Sequence, residues 1–344
     1  MRMWSLDIKN FKGFRELKVE FPHLVTLIAG KNNSGKSTLL EAVELVACAS
    51  DPLSLGRILE HREYQRGKLE DLTTFFHGRN DSSAATLACN FGEEVVRHVV
   101  FFKGRQKSGE VAMDLSASGA GGFYVLGSFD SEGEKDAVPN LVRFYDDATG
   151  ALQWSAESEG DFPVWRFEYC TAGNEPRTVD VVSKLKQTCS EDWLIEFLKE
   201  IDPNVRDITT DRDQIIVRLE NPRAAIPLQL MGDGVNKVVK ILGLMCSVGE
   251  GGVICIDEVD NGLHHTVMRK LVSLVLRVAT EKKIQVLMTT HSIEMLRHIS
   301  ASISAEAADF GFLRLVHCAD GTSKAFSYAP EAFAESIKGG VEVR

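Results

Sequence analysis

The apolar run Leu24-Val25-Thr26-Leu27-Ile28-Ala29 feeds directly into Gly30-Lys31-Asn32-Asn33-Ser34-Gly35-Lys36-Ser37. The residues from Ser37 to Ala49 then place Leu39, Leu40, Val43, Leu45 and Val46 at helical spacing with no breaker between them. Buried strand, glycine loop and amphipathic helix in that order leave few folds open, because the loop satisfies G-x-x-x-x-G-K-[ST] in the one context that gives the pattern meaning. Glycines let backbone N–H groups turn inward around phosphate oxygens, and the helix N-terminus adds its positive dipole. The spacing predicts a nucleotide site over Gly30, Lys31, Asn32, Asn33, Ser34, Gly35, Lys36, Ser37 and Thr38. Lys36 would reach the β- and γ-phosphates of ATP, and the Ser37 hydroxyl would ligate Mg2+.

A phosphate site alone leaves the reaction open. Val253-Ile254-Cys255-Ile256-Asp257-Glu258 narrows it, since an apolar strand there ends in two adjacent carboxylates. Asp257 would hold Mg2+ through its water shell while Glu258 orients or deprotonates the attacking water, because phosphoryl transfer depends on positioning and charge neutralisation. Capping the following helix is the plain alternative for such a pair. Further on, Ile284 to Ser292 ends a second buried strand at His291, whose imidazole would contact the γ-phosphate and report its loss; a helix-start or packing role is the plain alternative, which its place one strand beyond Asp257-Glu258 disfavours.

The rest of the chain fixes the class. Alternation at Trp4, Leu6, Ile8 and then Leu17, Val19, Phe21 predicts an antiparallel N-terminal pair. Strand-like stretches at Ala85 to Phe91, Val95 to Phe102, Gly122 to Leu126 and Val164 to Tyr169 are separated by turns such as Ser116 to Gly122 and Asp130 to Glu134. A helix is expected around Asp192 to Glu200, and no heptad repeat is sustained. From Asn236 the order is helix to Val248, strand Val253 to Ile256, helix His264 to Thr280, strand Ile284 to Thr289 and helix Ser292 to Ile299. That alternation implies an α/β fold with a mixed or parallel sheet flanked by helices. Phe312 to Cys318 and Ser323 to Tyr328, around Asp320-Gly321, read as a closing hairpin.

No apolar run nears the roughly 20 residues of a membrane span. Asp7 stands where a signal peptide needs an apolar core, so neither a membrane helix nor export is expected. The seven cysteines are scattered without C-x-x-C spacing, which fits a reducing cytoplasm rather than a disulfide framework. A net charge of −10 argues against a broad basic face for DNA, though clusters such as Lys9, Lys12, Arg15, Lys18 leave room for a local groove.

With these motifs in place the chain resembles ABC-class ATPases. Ile8-Lys9-Asn10-Phe11-Lys12-Gly13-Phe14, the Gly30 to Ser37 loop and Asp257-Glu258-Val259-Asp260-Asn261-Gly262-Leu263-His264 are similar to the RecF, SMC and OLD-type branch. The resemblance implies one ATPase head: an N-lobe over 1–50, a β-rich and helical insertion over 51–225, and a segment over 226–344 carrying signature, Walker B and switch histidine. It implies a homodimer or higher homo-oligomer in which two heads bind ATP head to tail. Gly232, Asp233 and Gly234 stand where the signature loop that acts on the partner's ATP belongs, with Asp233 in place of the usual serine, so backbone N–H groups would serve as donors and hydrolysis would be slow. Asp260 matches the D-loop position that would cross the dimer interface. His77 is a candidate for the missing Q-loop glutamine beside an ordinary loop role, and Lys12 or Phe14 would contact adenine, with core packing open for Phe14. An OLD nuclease would add a Toprim domain after the ATPase, whereas this sequence ends at Arg344, so a standalone head is expected. Two roles follow: a switch that controls a separate effector such as a nuclease in bacterial anti-phage defence, or direct RecF-like action on DNA.

Overall fold

The computed structural model describes residues 2–48, 51, 69–91, 95–107, 110–112, 122–131, 140–146, 149, 152–157, 166–170, 182–183, 191–211, 214–302, 309–318 and 322–338. Packing divides the chain into two units, Met1–Pro22 with Lys31–Phe167 and Leu315–Phe326, and His23–Gly30 with Glu168–Arg314 and Ser327–Arg344. In chain order the first elements are β1 (Met3–Phe11), β2 (Phe14–Glu20), β3 (Val25–Ala29) and α1 (Lys36–Ala47). Next come β4 (Ala85–Phe91), β5 (Val95–Lys107), β6 (Glu110–Ala112), β7 (Gly122–Ser131), β8 (Asn140–Asp146) and β9 (Leu152–Glu157). The remainder runs β10 (Phe167–Cys170), α2 (Glu191–Ile201), β11 (Val205–Asp211), β12 (Gln214–Leu219), β13 (Ala224–Pro227), α3 (Asp233–Val248), β14 (Val253–Ile256), α4 (His265–Lys282), β15 (Gln285–Thr290), α5 (Ile293–Ser302), β16 (Phe310–His317), β17 (Ser323–Tyr328) and α6 (Pro330–Lys338).

The first unit is an antiparallel sheet in the order β2-β1-β4-β5-β7-β8-β9, with β6 beside β5. Its hairpin pairs Ser5 with Glu20 and Phe11 with Phe14, as the alternation predicts, and Leu6, Ile8, Leu17 and Val19 face inward. β4 pairs with β1, so the strands expected of an insertion extend the N-terminal hairpin's own sheet. α1 packs on β4 and β5. The buried Arg97 guanidinium on β5 donates to Ala47 O at 3.1 Å, capping the last turn of α1 with positive charge. Burial draws Arg97 below its ordinary pKa and pushes the nearby Cys48 thiol up to about 12.

The second unit holds β3, β14 and β15, the centre of a six-stranded sheet ordered β10-β14-β15-β3-β16-β17. β14, β15, β3 and β16 are parallel, with Ile256 opposite Met288, Met288 opposite Leu27, and Leu27 opposite Phe312. Every residue of β3, β14 and β15 is buried, the pattern of strands covered on both faces. α3 contributes Val235, Val238, Val239, Ile241, Leu242 and Met245 to this core, and Ser292 caps α5 by accepting Met295 N–H at 3.1 Å. Because the strands are parallel, the carboxyl ends of β3, β14 and β15 lie side by side, the edge at which open α/β sheets bind ligands.

Several expectations shift. β5 and β7 run longer than predicted, and Asp130 and Ser131 belong to β7 rather than to a turn. Residues 116–121, 132–134 and Asp320-Gly321 lie outside the described residues. α6 was not anticipated; its Phe333 stacks on Phe312 with ring centroids 3.7 Å apart, a packing partner that local spacing does not reveal. Among the described residues no helix is long and apolar enough to cross a membrane.

Candidate active site

The phosphate loop takes its shape from the backbone. Asn33 (φ 65°) and Gly35 (φ 92°) adopt left-handed conformations on either side of Ser34, whose N–H bonds Lys31 O at 3.1 Å. Only glycine fits at Gly35, since a Cβ would sit 2.4 Å from the ring of Phe14. Phe14 is buried and lies against Gly35 as a core side chain. Lys31, Asn32, Asn33 and Ser37 are exposed, Thr38 is half-buried, and Lys36 Nζ folds back to donate to Lys31 O at 3.0 Å. Two features suit an incoming anion: the first turn of α1 carries no acid, and the buried Ser34 hydroxyl has no hydrogen-bond partner. Lys12 is paired with Glu41 of α1, and its carbonyl is held by His77 Nδ1 at 3.1 Å, so His77 fastens the β1–β2 turn.

In the second unit the acids are fixed by side chains. Thr289, wholly buried on β15, donates its hydroxyl to Asp257 Oδ1 and accepts Glu258 N–H at 2.8 Å, while its carbonyl accepts Val259 N–H at 3.0 Å. Asp257 N–H bonds Cys170 O at 2.9 Å. Glu258 has φ 49° and an exposed side chain, so its carboxylate faces solvent while its backbone is gripped. Lys237 of α3 donates to Glu258 O at 2.7 Å and to Asn261 O at 2.9 Å. His291 follows β15, half exposed, with Nδ1 3.7 Å from Asp260 Oδ2. Asp260, expected at a partner interface, is buried in its own chain. His264 precedes α4 with an exposed side chain.

The signature segment differs from a loop. Gly232 (φ 100°) immediately precedes α3, and Asp233 and Gly234 form its first turn. An acid in that turn suits the helix dipole, and the early N–H groups of a helix have no internal acceptors, which keeps them available as donors. Gly234 packs on the acid turn, where a Cβ would lie 3.3 Å from Gly262 O.

In the second unit Asp257 is a hard oxygen donor of the kind Mg2+ takes, half-buried with Thr289 on one oxygen only; in the first unit the exposed Ser37 hydroxyl is another such donor. Among the described residues no group of three or more His, Cys, Asp or Glu gathers to hold a metal. Sequence reasoning missed Thr289 and Lys237, since a threonine in a buried strand and a lysine in a helix carry no spacing signal.

Residues 1–120 match the AAA ATPase domain family, and residues 194–297 match an AAA domain family whose description names the AbiEii toxin of a type IV toxin–antitoxin system. The chain is 26% identical to the ATP/GTP phosphatase of Helicobacter pylori over 353 positions, covering 91% of each protein. It is 22% identical to the Septu protein PtuA of Bacillus thuringiensis across 85% of this chain and 72% of that one. A 47-residue stretch, 14% of this chain and 12% of the other, is 45% identical to the DNA replication and repair protein RecF of Rippkaea orientalis. Phosphate loop, acid-ended strand and these similarities together make the chain an ATP-hydrolysing ABC-class ATPase, similar over a short stretch to RecF.

Proposed function

We propose that ATP closes two copies of this chain head to tail, and that the resulting state restrains or releases a separate effector such as a nuclease in bacterial defence against phage. The observation that carries the reading is the link between α3 and the acid turn. Lys237 ties the carbonyls of Glu258 and Asn261 to the helix whose first turn holds Asp233 and Gly234. A shift at Glu258 on hydrolysis would therefore be felt at the surface offered to a partner copy.

In this reading Lys36 and the loop N–H groups hold the β- and γ-phosphates, and Glu258 orients or deprotonates the attacking water. Mg2+, held by Ser37 and Asp257, would supply charge neutralisation at the phosphates. His291 contacts the γ-phosphate, and the backbone around Gly232, Asp233 and Gly234 donates to the ATP of the other copy. With Asp233 contributing an acid where a hydroxyl donor would help, turnover is slow. Similarity to PtuA over most of the chain and the net charge of −10 favour control of a protein effector. The RecF match supports direct action on DNA as the second reading.

Light scattering of Glu258→Gln, with and without ATP and Mg2+ and with and without duplex DNA, separates these. A mass doubling that needs ATP supports the switch, and co-elution of DNA with steep salt dependence moves the role to the second reading. An assembly indifferent to nucleotide would overturn head-to-tail closure.

A further inference from the structure

Asp260 is the most deeply enclosed acid of the turn, with a side chain 5% exposed, and its Oδ1 is buried with no hydrogen-bond partner. A carboxylate removed from water without full satisfaction is costly, and an uncharged residue would fill the same space more cheaply. Its other oxygen faces one basic group, the Nδ1 of His291 at 3.7 Å, whose side chain is 48% exposed. The two residues are set by neighbouring parallel strands, Asp260 shortly after β14 and His291 immediately after β15. Thr289 bonds the turn to β15 through Asp257, Glu258 and Val259, so the spacing between acid and imidazole is held by the sheet.

We propose that Asp260 is a positioning residue for His291: its carboxylate accepts Nδ1–H, fixes the ring, and turns Nε2 toward the nucleotide, where the ring bearing both protons donates Nε2–H to a phosphate oxygen. At 3.7 Å the contact is longer than a hydrogen bond, and the pairing requires the half-exposed ring to turn toward the carboxylate. A base oriented by a third group is the general arrangement by which imidazoles are aimed in active sites. The role rests on the reading of His291 as part of the ATP site.

The test is histidine side-chain nitrogen-15 spectroscopy on the full chain, whose nine histidines are few enough to assign with a His291→Gln control. The wild type should show His291 protonated at Nδ1. Asp260→Leu, which removes the acceptor without burying a new polar group, should lose that signature and lower kcat about 10-fold with KM for ATP unchanged. Asp260→Asn keeps an acceptor oxygen and should restore part of both. In a His291→Gln background Asp260→Leu should cost nothing further. An unchanged His291 signature in Asp260→Leu, or an equal loss of kcat without His291, overturns the pairing. Should Asp260→Leu fail to fold, an Asp260→Asn protein with His291 protonated at Nε2 alone and full turnover overturns it equally. Neither result touches the ATPase assignment, which is tested separately by Lys36→Ala.

Discussion

Gly35 and Glu258 both hold left-handed backbone, and they reach that conformation by opposite means. At Gly35 the fold leaves no room for a side chain, and glycine adopts φ 92° at no steric cost. At Glu258 a glutamate sits at φ 49°, a conformation that costs about 1 to 2 kcal/mol for a residue with a Cβ, as the proposed catalytic carboxylate would require. Bonds from Thr289 and Lys237 to its backbone offset that cost. A loop that must only present N–H groups can be written in glycine, whereas a loop that must present a carboxylate needs clamps from elsewhere in the fold.

The largest effect should come from breaking the first arrangement. Gly35→Val combines a left-handed β-branched residue with a side chain driven into Phe14, and should destabilise the protein by at least about 3 kcal/mol. Nucleotide binding should vanish with it. Denaturant unfolding and fluorescent-nucleotide titration would check this, and a stable protein that binds ATP would show that Phe14 yields.

Glu258→Gln comes next, because it leaves the backbone and every clamp in place and changes only the group facing solvent. Turnover should fall on the order of 100- to 10,000-fold, the range for losing a general base, while stability and ATP affinity stay put. Unchanged turnover would show that the strained glutamate is there for some purpose other than activating water.

Thr289→Val attacks the clamp from within the sheet. It keeps the buried shape but strips the hydroxyl that serves Asp257 and Glu258, so a part-buried N–H loses its acceptor at a cost of about 1 kcal/mol. Turnover should drop about 10-fold as Glu258 relaxes from its set direction. Lys237→Met removes two bonds to carbonyls at the surface and should also cost about 1 kcal/mol, with a several-fold loss in turnover. If Lys237→Met proved worse than Thr289→Val, the strain at Glu258 would be held chiefly by α3 rather than by β15.

The same contrast explains what could be read from the sequence. Gly30 to Ser37 was legible because a glycine loop is specified by the residues that form it, and β3, β14 and β15 were legible because strands buried on both faces are apolar throughout. Asp257 and Glu258 stood out for the same reason, as acids ending such a strand. Thr289 and Lys237 did not, since each acts on a turn many residues away in sequence through contacts that only the folded chain creates. The placement of Asp260 beside His291 was hidden likewise. The start of α3 was misjudged because glycines at 232 and 234 argue locally for a loop, while packing of the long apolar face of α3 extends the helix through Gly234.

Gly234→Ala is the mildest change and separates two reasons for the residue. Alanine is favoured over glycine inside a helix by about 1 kcal/mol. The new Cβ would meet Gly262 O and Leu263 Cδ2 at 3.3 Å, which asks the turn to move by a few tenths of an ångström. These terms nearly cancel, so stability should stay within about 1 kcal/mol of the parent. In a Glu258→Gln background the variant should still double its mass with ATP if Gly234 is present only for contact with its own acid turn. Lost doubling at unchanged stability would mean that the first turn of α3 must approach the other copy more closely than a methyl group permits, which places the reason for this glycine in the partner rather than in the fold.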